Sequence, residues 1–176
     1  NPNTPYSRLL VKWETGIGKT VGSLAIALNF IKYYQKEEAH GTETIGSVFI
    51  IGFTSHVFRK ELIRFPEFGI INKTELKKLE KLKKIAYTGS KFDLENLKEY
   101  ITKIRKRYNN REGNGFFQFI GYKKLVNMIF IINDPKVVLR TLDEDGIHNA
   151  IKSGQIKLNK SLLEEFKNSL VICDEI

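Results

Sequence analysis

Apolar positions along the chain fall into short runs that alternate with helical stripes. Runs at 7–12, 47–53, 85–89, 116–120 and 169–173 predict five buried β-strands. Between them, apolar residues recur every three or four positions, which predicts helices packed on a sheet. The residues with this spacing are Val21, Leu24, Leu28 and Ile31, then Leu76, Leu79 and Leu82, then Leu94, Leu97, Ile101, Ile104 and Tyr108. This alternation predicts an α/β fold with a mainly parallel sheet and helices on both faces.

Local signals predict where further elements begin and end. Segments 55–65, 122–130 and 161–167 have helical patterns. The helix at 55–65 must end near Pro66. Ser90 followed by Asp93 predicts a capping box at a helix start. The interval 131–168 has weaker patterning, with a predicted acidic turn at 143–146. We expect this interval to contain an insertion.

Composition and charge narrow the class of protein. The 176 residues are 41% hydrophobic, enough for one domain with a real core. Cys173 is the sole cysteine, which excludes an internal disulfide and a multi-cysteine zinc module. No apolar run approaches the roughly 18 residues of a membrane span and no signal-peptide pattern is present, so we expect a soluble intracellular protein. The net charge of +9 favours an anionic partner such as a nucleotide or nucleic acid.

The first chemical motif is W-E-T-G-I-G-K-T at 13–20, between a predicted strand and a predicted helix. Its glycines allow the backbone to wrap around an anion, its lysine can reach the β- and γ-phosphates, and its threonine hydroxyl can ligate Mg²⁺. Trp13 stands where the general pattern has Gly or Ala. The alternative is an ordinary glycine-rich turn with a solvated lysine, which the flanking strand and helix disfavour. The predicted ATP-binding residues are Thr15, Gly16, Ile17, Gly18, Lys19 and Thr20.

A pair of acids follows the last predicted strand. Asp174 can hold Mg²⁺ together with Thr20, and Glu175 can orient and deprotonate an attacking water. The alternative is two acids that simply end a core strand, which the phosphate-loop motif upstream disfavours. The sequence therefore predicts ATP and Mg²⁺ as cofactors, with Lys19 and Glu175 as catalytic residues.

Five ordered blocks resemble a known family. They read LLVKWETGIGKT, VFIIGFTSHVFRKEL, IAYTG, FFQFIGYKKL and LVICDEI. This order is similar to the first motor domain of superfamily 2 helicases, in the branch shared with Snf2-type translocases. More narrowly, NPNTPYSRLLVKWETGIGKT and GFFQFIGYKKL resemble the transcription-associated helicases of large cytoplasmic DNA viruses, namely the poxvirus early transcription factor small subunit and its asfarvirus relatives.

The resemblance implies a RecA-like phosphate-loop NTPase domain over 1–176, ending at the second acidic motif. It implies that Thr54, Ser55, Gly121 and Tyr122 contact a nucleic-acid backbone irrespective of base sequence, although Gly121 lacks the hydroxyl usual there. It also implies a second motor domain with an arginine finger outside these residues, so the 176 residues alone should hydrolyse ATP poorly. The function implied is a nucleic-acid-dependent ATPase, helicase or translocase, in viral transcription. Its expected location is the host cytoplasm or the virion.

Two other functions fit the same residues. One is another phosphate-loop ATPase such as a DNA-packaging motor, and the other is a nucleic-acid-binding module without hydrolysis. The intact set Lys19, Thr20, Asp174 and Glu175 favours a working ATPase. The lysine- and arginine-rich segments 73–84 and 98–111 lie opposite apolar stripes, so we interpret them as solvated outer faces rather than a nucleic-acid track.

Overall fold

The computed structural model describes residues 11, 18–39, 46–53, 55–109 and 115–174. In these ranges the chain has a mixed α/β fold. The elements in chain order are α1 (Lys19–Ala39), β1 (Val48–Ile51), α2 (Ser55–Arg64), α3 (Lys73–Thr88), α4 (Lys91–Tyr108), β2 (Phe117–Ile120), α5 (Tyr122–Ile129), β3 (Phe130–Ile132), α6 (Glu144–Lys152), β4 (Ile156–Leu158), α7 (Lys160–Glu165) and β5 (Leu170–Cys173). Short 3-10 helices lie at Pro66–Phe68 and Leu139–Thr141. The strand predicted at 7–12 lies outside the described residues, except for Val11.

The β1 strand is the centre of a three-stranded parallel sheet with the order β2-β1-β5. Val48 is paired with Phe117 on one side and with Leu170 on the other. All four residues of β1 are buried, as predicted for a strand covered on both faces. The β5 strand is less buried than predicted, since Val171 is 44% exposed. The reason is its position at the edge of the sheet within the described part of the chain.

Helices cover both faces of the sheet, which confirms that prediction. On one face, Leu24 of α1 and Phe58 of α2 share a hydrophobic core with Val48 and Ile50. The opposite face packs against residues that follow β2 or precede β5. That second core contains Phe49, Ile51, Ile120, Tyr122, Leu125, Met128 and Phe166.

Residues 85–89 are mostly helical, so the strand predicted there is wrong. The α3 helix runs unbroken from Lys73 to Thr88 and has Gly89 as its C-cap residue. Ile85 is 41% exposed and Tyr87 is 92% exposed, so these side chains fill no core. Lysine, leucine and glutamate are good helix formers, and a helix already started at Lys73 adds each further residue easily. The block IAYTG therefore gives no support to the family resemblance as a strand.

Side-chain caps fix the starts of α3 and α4. The predicted capping box at α4 is confirmed, because the Ser90 N–H donates to Asp93 Oδ2 at 2.8 Å and the Asp93 N–H donates to Ser90 Oγ at 3.4 Å. A second box at α3, which the sequence analysis did not identify, joins Asn72 and Glu75 with hydrogen bonds of 2.9 and 3.0 Å. Both helices therefore have their first amides satisfied locally.

An ion pair joins the start of α3 to the end of α4. Arg107 donates to both carboxylate oxygens of Glu75, at 2.7 and 3.0 Å. This hydrogen bonding lowers the pKa of Glu75 from 4.5 to about 2. The pair closes the base of the unit formed by residues 73–108, termed the α3–α4 hairpin.

Residues 130–158 form a small unit within the interval where an insertion is expected. The β3 and β4 strands pair antiparallel, and α6 lies between them in the chain. Leu139, Ala150 and Ile156 form its own hydrophobic core. The acidic turn predicted at 143–146 is instead the start of α6, because Asp143 Oδ1 accepts a hydrogen bond from the Gly146 N–H at 2.8 Å. That the unit is an insertion stays a prediction.

Polar side chains link the strands near the amino ends of β1, β2 and β5. Gln118 Nε2 donates to Ser47 Oγ at 3.1 Å, and both residues are buried. The Ser47 N–H in turn donates to Ser169 Oγ at 2.9 Å. Because buried polar groups are costly when unpaired, this chain of hydrogen bonds specifies how the three strands meet.

Candidate functional site

The three parallel strands end together, and the residues after them meet at one edge of the sheet. Ile51 is paired with Ile120 and with Cys173, which are the last residues of β2 and β5. Gly52, Gly121 and Asp174 follow these strand ends directly. Ligands of open α/β sheets bind outside this carboxyl edge, so the edge is the candidate site.

Gly52 and Asp174 approach each other closely at this edge. The Asp174 N–H donates to the Ile51 carbonyl at 2.9 Å, and the Gly52 N–H donates to the Ile120 carbonyl at 3.1 Å. A Cβ atom on Gly52 would lie 3.0 Å from the Asp174 carbonyl oxygen and 3.1 Å from its Cβ. A larger residue at 52 would therefore displace the backbone of Asp174 by a few tenths of an ångström.

Tyr122 connects α5 to the end of β5. Its hydroxyl donates to the Asp174 carbonyl oxygen at 2.9 Å. Its ring contacts Phe53, with the ring centroids 5.2 Å apart, and Phe53 is 74% exposed. The sequence analysis predicted Tyr122 and Asp174 but missed Phe53. The signal available was an aromatic residue directly after a glycine at the end of a buried strand.

Two helices begin at this edge, and one of them has no side-chain cap. The first turns of α2, which begins at Ser55, and of α5, which begins at Tyr122, contain no acidic residue. The N-cap of α5 is Gly121, and no side chain caps that helix. By contrast, side chains cap the helices that begin away from this edge, namely α3, α4, α6 and α7. Uncapped N–H groups and the positive end of the helix dipole favour a phosphate there.

The end of the predicted phosphate loop lies directly before α1. Gly18 has a φ of 81°, and no heavy atom of the described residues lies within 4 Å of the position of an added Cβ. This left-handed conformation favours glycine, as the motif requires. Lys19 and Thr20 are the first residues of α1, whose apolar side packs on the sheet. Thr15, Gly16, Ile17, Thr54 and Glu175 lie outside the described residues.

Of the two predicted metal-binding residues, Asp174 lies at the carboxyl edge and Thr20 lies in the first turn of α1. The described residues contain no group of three or more His, Cys, Asp and Glu that could hold a metal by themselves. Mg²⁺ in nucleotide sites takes one or two protein oxygens together with phosphates and water, which Asp174 and Thr20 can supply. Partial burial raises the pKa of the Cys173 thiol, so this neighbour of Asp174 is protonated at neutral pH.

Comparison with known proteins shows similarity to viral transcription proteins. One relative is the early transcription factor large subunit homolog of African swine fever virus from a Malawi tick isolate. The alignment covers the whole chain, spans 201 positions and has 33% identity. A South African tick isolate has a protein of the same name that matches with the same identity. The chain is homologous to a segment of these proteins. It spans 18% and 17% of their lengths.

These matches confirm the asfarvirus part of the expected resemblance, although the relatives are named after the large subunit and not the small one. A shorter match covers 20% of the chain, with 53% identity over 36 residues. The matched protein is from Acanthamoeba polyphaga mimivirus and is provisionally named an ATP-dependent RNA helicase. The match covers 3% of that protein's length. No protein-family model matches the chain, and no solved structure matches it. None of the helices in the described ranges combines the length and apolar character needed to cross a bilayer.

Proposed function

We propose that this chain is the ATP-binding unit of a nucleic-acid-dependent ATPase that acts in viral transcription. The observation on which this rests is the carboxyl edge of the parallel sheet, where Asp174, Gly52 and Tyr122 meet beside the uncapped start of α5. The names of the relatives support the transcription role, and the mimivirus match supports the helicase chemistry. The RecA-like fold belongs to the same proposal.

In this proposal the loop at 15–20 binds the phosphates of ATP. Backbone N–H groups from Thr15 to Thr20 surround the anion, and the Lys19 ammonium contacts the β- and γ-phosphates. Thr20 and Asp174 would hold Mg²⁺, and the ion would neutralise charge on the phosphates. Glu175 orients the attacking water and accepts its proton. Gly18 supports the loop because its left-handed backbone is the conformation in which a glycine-rich loop enters a helix.

Nucleic acid lies along the same edge in this proposal, beside the ATP site. The hydroxyls of Thr54 and Ser55 and the first amides of α2 and α5 donate to phosphates of one strand. Phe53 adds an exposed ring on which a base can stack, supported from one side by Tyr122. Contacts of this kind address phosphates and ring faces, so binding is insensitive to base sequence.

Calorimetry with ATP and Mg²⁺ on the intact protein tests the nucleotide site. Lys19→Ala should weaken ATP binding by about tenfold or more, since a charge-assisted hydrogen bond contributes about 1.5 to 3 kcal/mol. Lys32→Ala is the matched control, because Lys32 is an exposed lysine of the same helix. Equal ATP affinity in the two variants contradicts the proposal.

The nucleic-acid contact is tested separately by stimulation of ATP hydrolysis. The double variant Thr54→Ala and Ser55→Ala should lose most of the stimulation by single strands while it keeps ATP binding. Thr74→Ala with Ser161→Ala removes two exposed hydroxyls elsewhere and should keep the stimulation. Full stimulation in the first variant shows that the strand does not follow this edge of the sheet.

A further inference from the structure

A row of unpaired lysines runs along the outer side of α3. Lys73, Lys77, Lys81 and Lys84 recur every three or four positions, so they lie on one face of the helix. All four are exposed, on the side away from the buried Leu79. None of them forms an ion pair with a carboxylate of the described residues. These four lysines are termed the α3 ridge.

The far end of the α3–α4 hairpin stands clear of the hydrophobic core. No residue from 80 to 96 belongs to the main hydrophobic core or packs against it, whereas Leu79 belongs to that core and Leu97 packs against it. Tyr87 and Phe92 flank the turn between the helices and are 92% and 69% exposed. Large exposed rings beside a row of lysines make this end of the hairpin a candidate contact surface for a partner.

We propose that the α3 ridge and the two aromatic residues at the turn bind a single-stranded nucleic acid. The hairpin helices contain twelve Lys and Arg against five Asp and Glu, a formal charge of +7 within a chain of +9. Tyr87 follows Lys84 by three positions, so a ring lies one helical turn beyond the last lysine of the ridge. Lysines that contact phosphates next to rings that stack on bases are the recurrent pattern of single-strand binding.

The sequence pattern alone favoured a solvated outer face for segment 73–84. The exposed rings at the turn favour a binding surface instead. The α3 ridge is a second contact, on a projecting hairpin and not at the carboxyl edge of the sheet. An acidic protein could also pair with the lysines, but it would not need aromatic rings at the end of the row. That the partner is a nucleic acid rests on the proposed function. Binding is tested without ATP, so a failure of the α3 ridge and a failure of the proposed ATPase can be told apart.

Binding of a fluorescent single-stranded oligonucleotide to the intact protein, without nucleotide and over a range of salt, tests the inference. The ridge variant is Lys77→Gln, Lys81→Gln and Lys84→Gln, which keeps good helix formers in α3. The control variant is Lys152→Gln, Lys157→Gln and Lys160→Gln, which removes the same charge from exposed positions elsewhere. The tip variant is Tyr87→Ala with Phe92→Ala, and both substitutions lie outside the core.

The ridge variant should bind about tenfold more weakly and lower the log-log salt slope by about 2, at about 0.7 per lost contact. The control variant should bind as wild type does. The tip variant should lose about tenfold in affinity for a normal strand and less for an abasic strand, because the rings stack on bases. Equal affinities in the ridge and control variants overturn the proposal. Full affinity in both the ridge and the tip variants also overturns it, and leaves an acidic protein as the partner of this surface.

Discussion

Replacing Gly52 by alanine tests whether the backbone at the carboxyl edge is as tightly set as the structure shows. The new Cβ would lie 3.0 Å from the Asp174 carbonyl oxygen and 3.1 Å from the Asp174 Cβ, so Asp174 must move by a few tenths of an ångström. The backbone of Asp174 is held by the Ile51 carbonyl and by the Tyr122 hydroxyl, both at 2.9 Å. The substitution therefore disturbs a position that two hydrogen bonds fix.

The expected cost is about 1 to 3 kcal/mol, the usual range for an atom added where packing is already tight. Gly121→Ala is the matched control at the same edge. Its φ of −74° suits any residue, and no heavy atom in the described part of the chain lies within 4 Å of the added Cβ. That variant should be neutral, or more stable by up to about 1 kcal/mol, because alanine restricts the unfolded chain.

Hydrogen exchange of β1 and β5 amides in the intact protein measures this difference. Gly52→Ala should speed exchange in these strands by about tenfold or more, because about 1.4 kcal/mol of lost stability is a factor of ten. Gly121→Ala should leave the exchange rates as in wild type or slower. The reasoning is refuted if both variants exchange as wild type does, or if only Gly121→Ala exchanges faster.

Two further predictions concern the fold, and one concerns the chemistry. Glu75→Gln should destabilise the α3–α4 hairpin by about 1 kcal/mol at neutral pH. Because folding lowers the pKa of Glu75 from 4.5 to about 2, this difference from wild type should persist above about pH 4.5 and disappear towards pH 2 in thermal unfolding. Gln118→Leu should cost about 1 to 3 kcal/mol in the same assay by leaving Ser47 without its buried donor, and unchanged stability would contradict that role. The purified 176 residues should turn over ATP at least about 1000-fold more slowly than the intact protein, since the arginine finger is expected elsewhere.

The sequence was sufficient for the elements whose patterns are local. The buried run in β1 and the capping box at Ser90 both predicted what the structure shows. The pattern failed at 85–89, because a short apolar run beside a glycine is typical of a strand end and also of a helix end. Exposure of Tyr87 decides between these, and exposure depends on how the whole hairpin packs.

The candidate site was predictable in part for a similar reason. Parallel strands bring their following residues to one edge, so the position of Gly121 and Asp174 at the same edge, on either side of the end of β1, followed from the sheet alone. The contact of the Tyr122 hydroxyl with the Asp174 carbonyl joins residues 52 positions apart, and no sequence spacing encodes it. The ring contact of Phe53 with Tyr122 likewise depends on the way in which α5 leaves β2.

ATP turnover by the intact protein, with and without single-stranded nucleic acid, tests the central claim most directly. The account predicts turnover that nucleic acid stimulates, and predicts its loss in Lys19→Ala and in Glu175→Gln, while Lys32→Ala remains active. Turnover that is equal in wild type, Lys19→Ala and Glu175→Gln would contradict the account, as would stimulation that persists in either of those two variants.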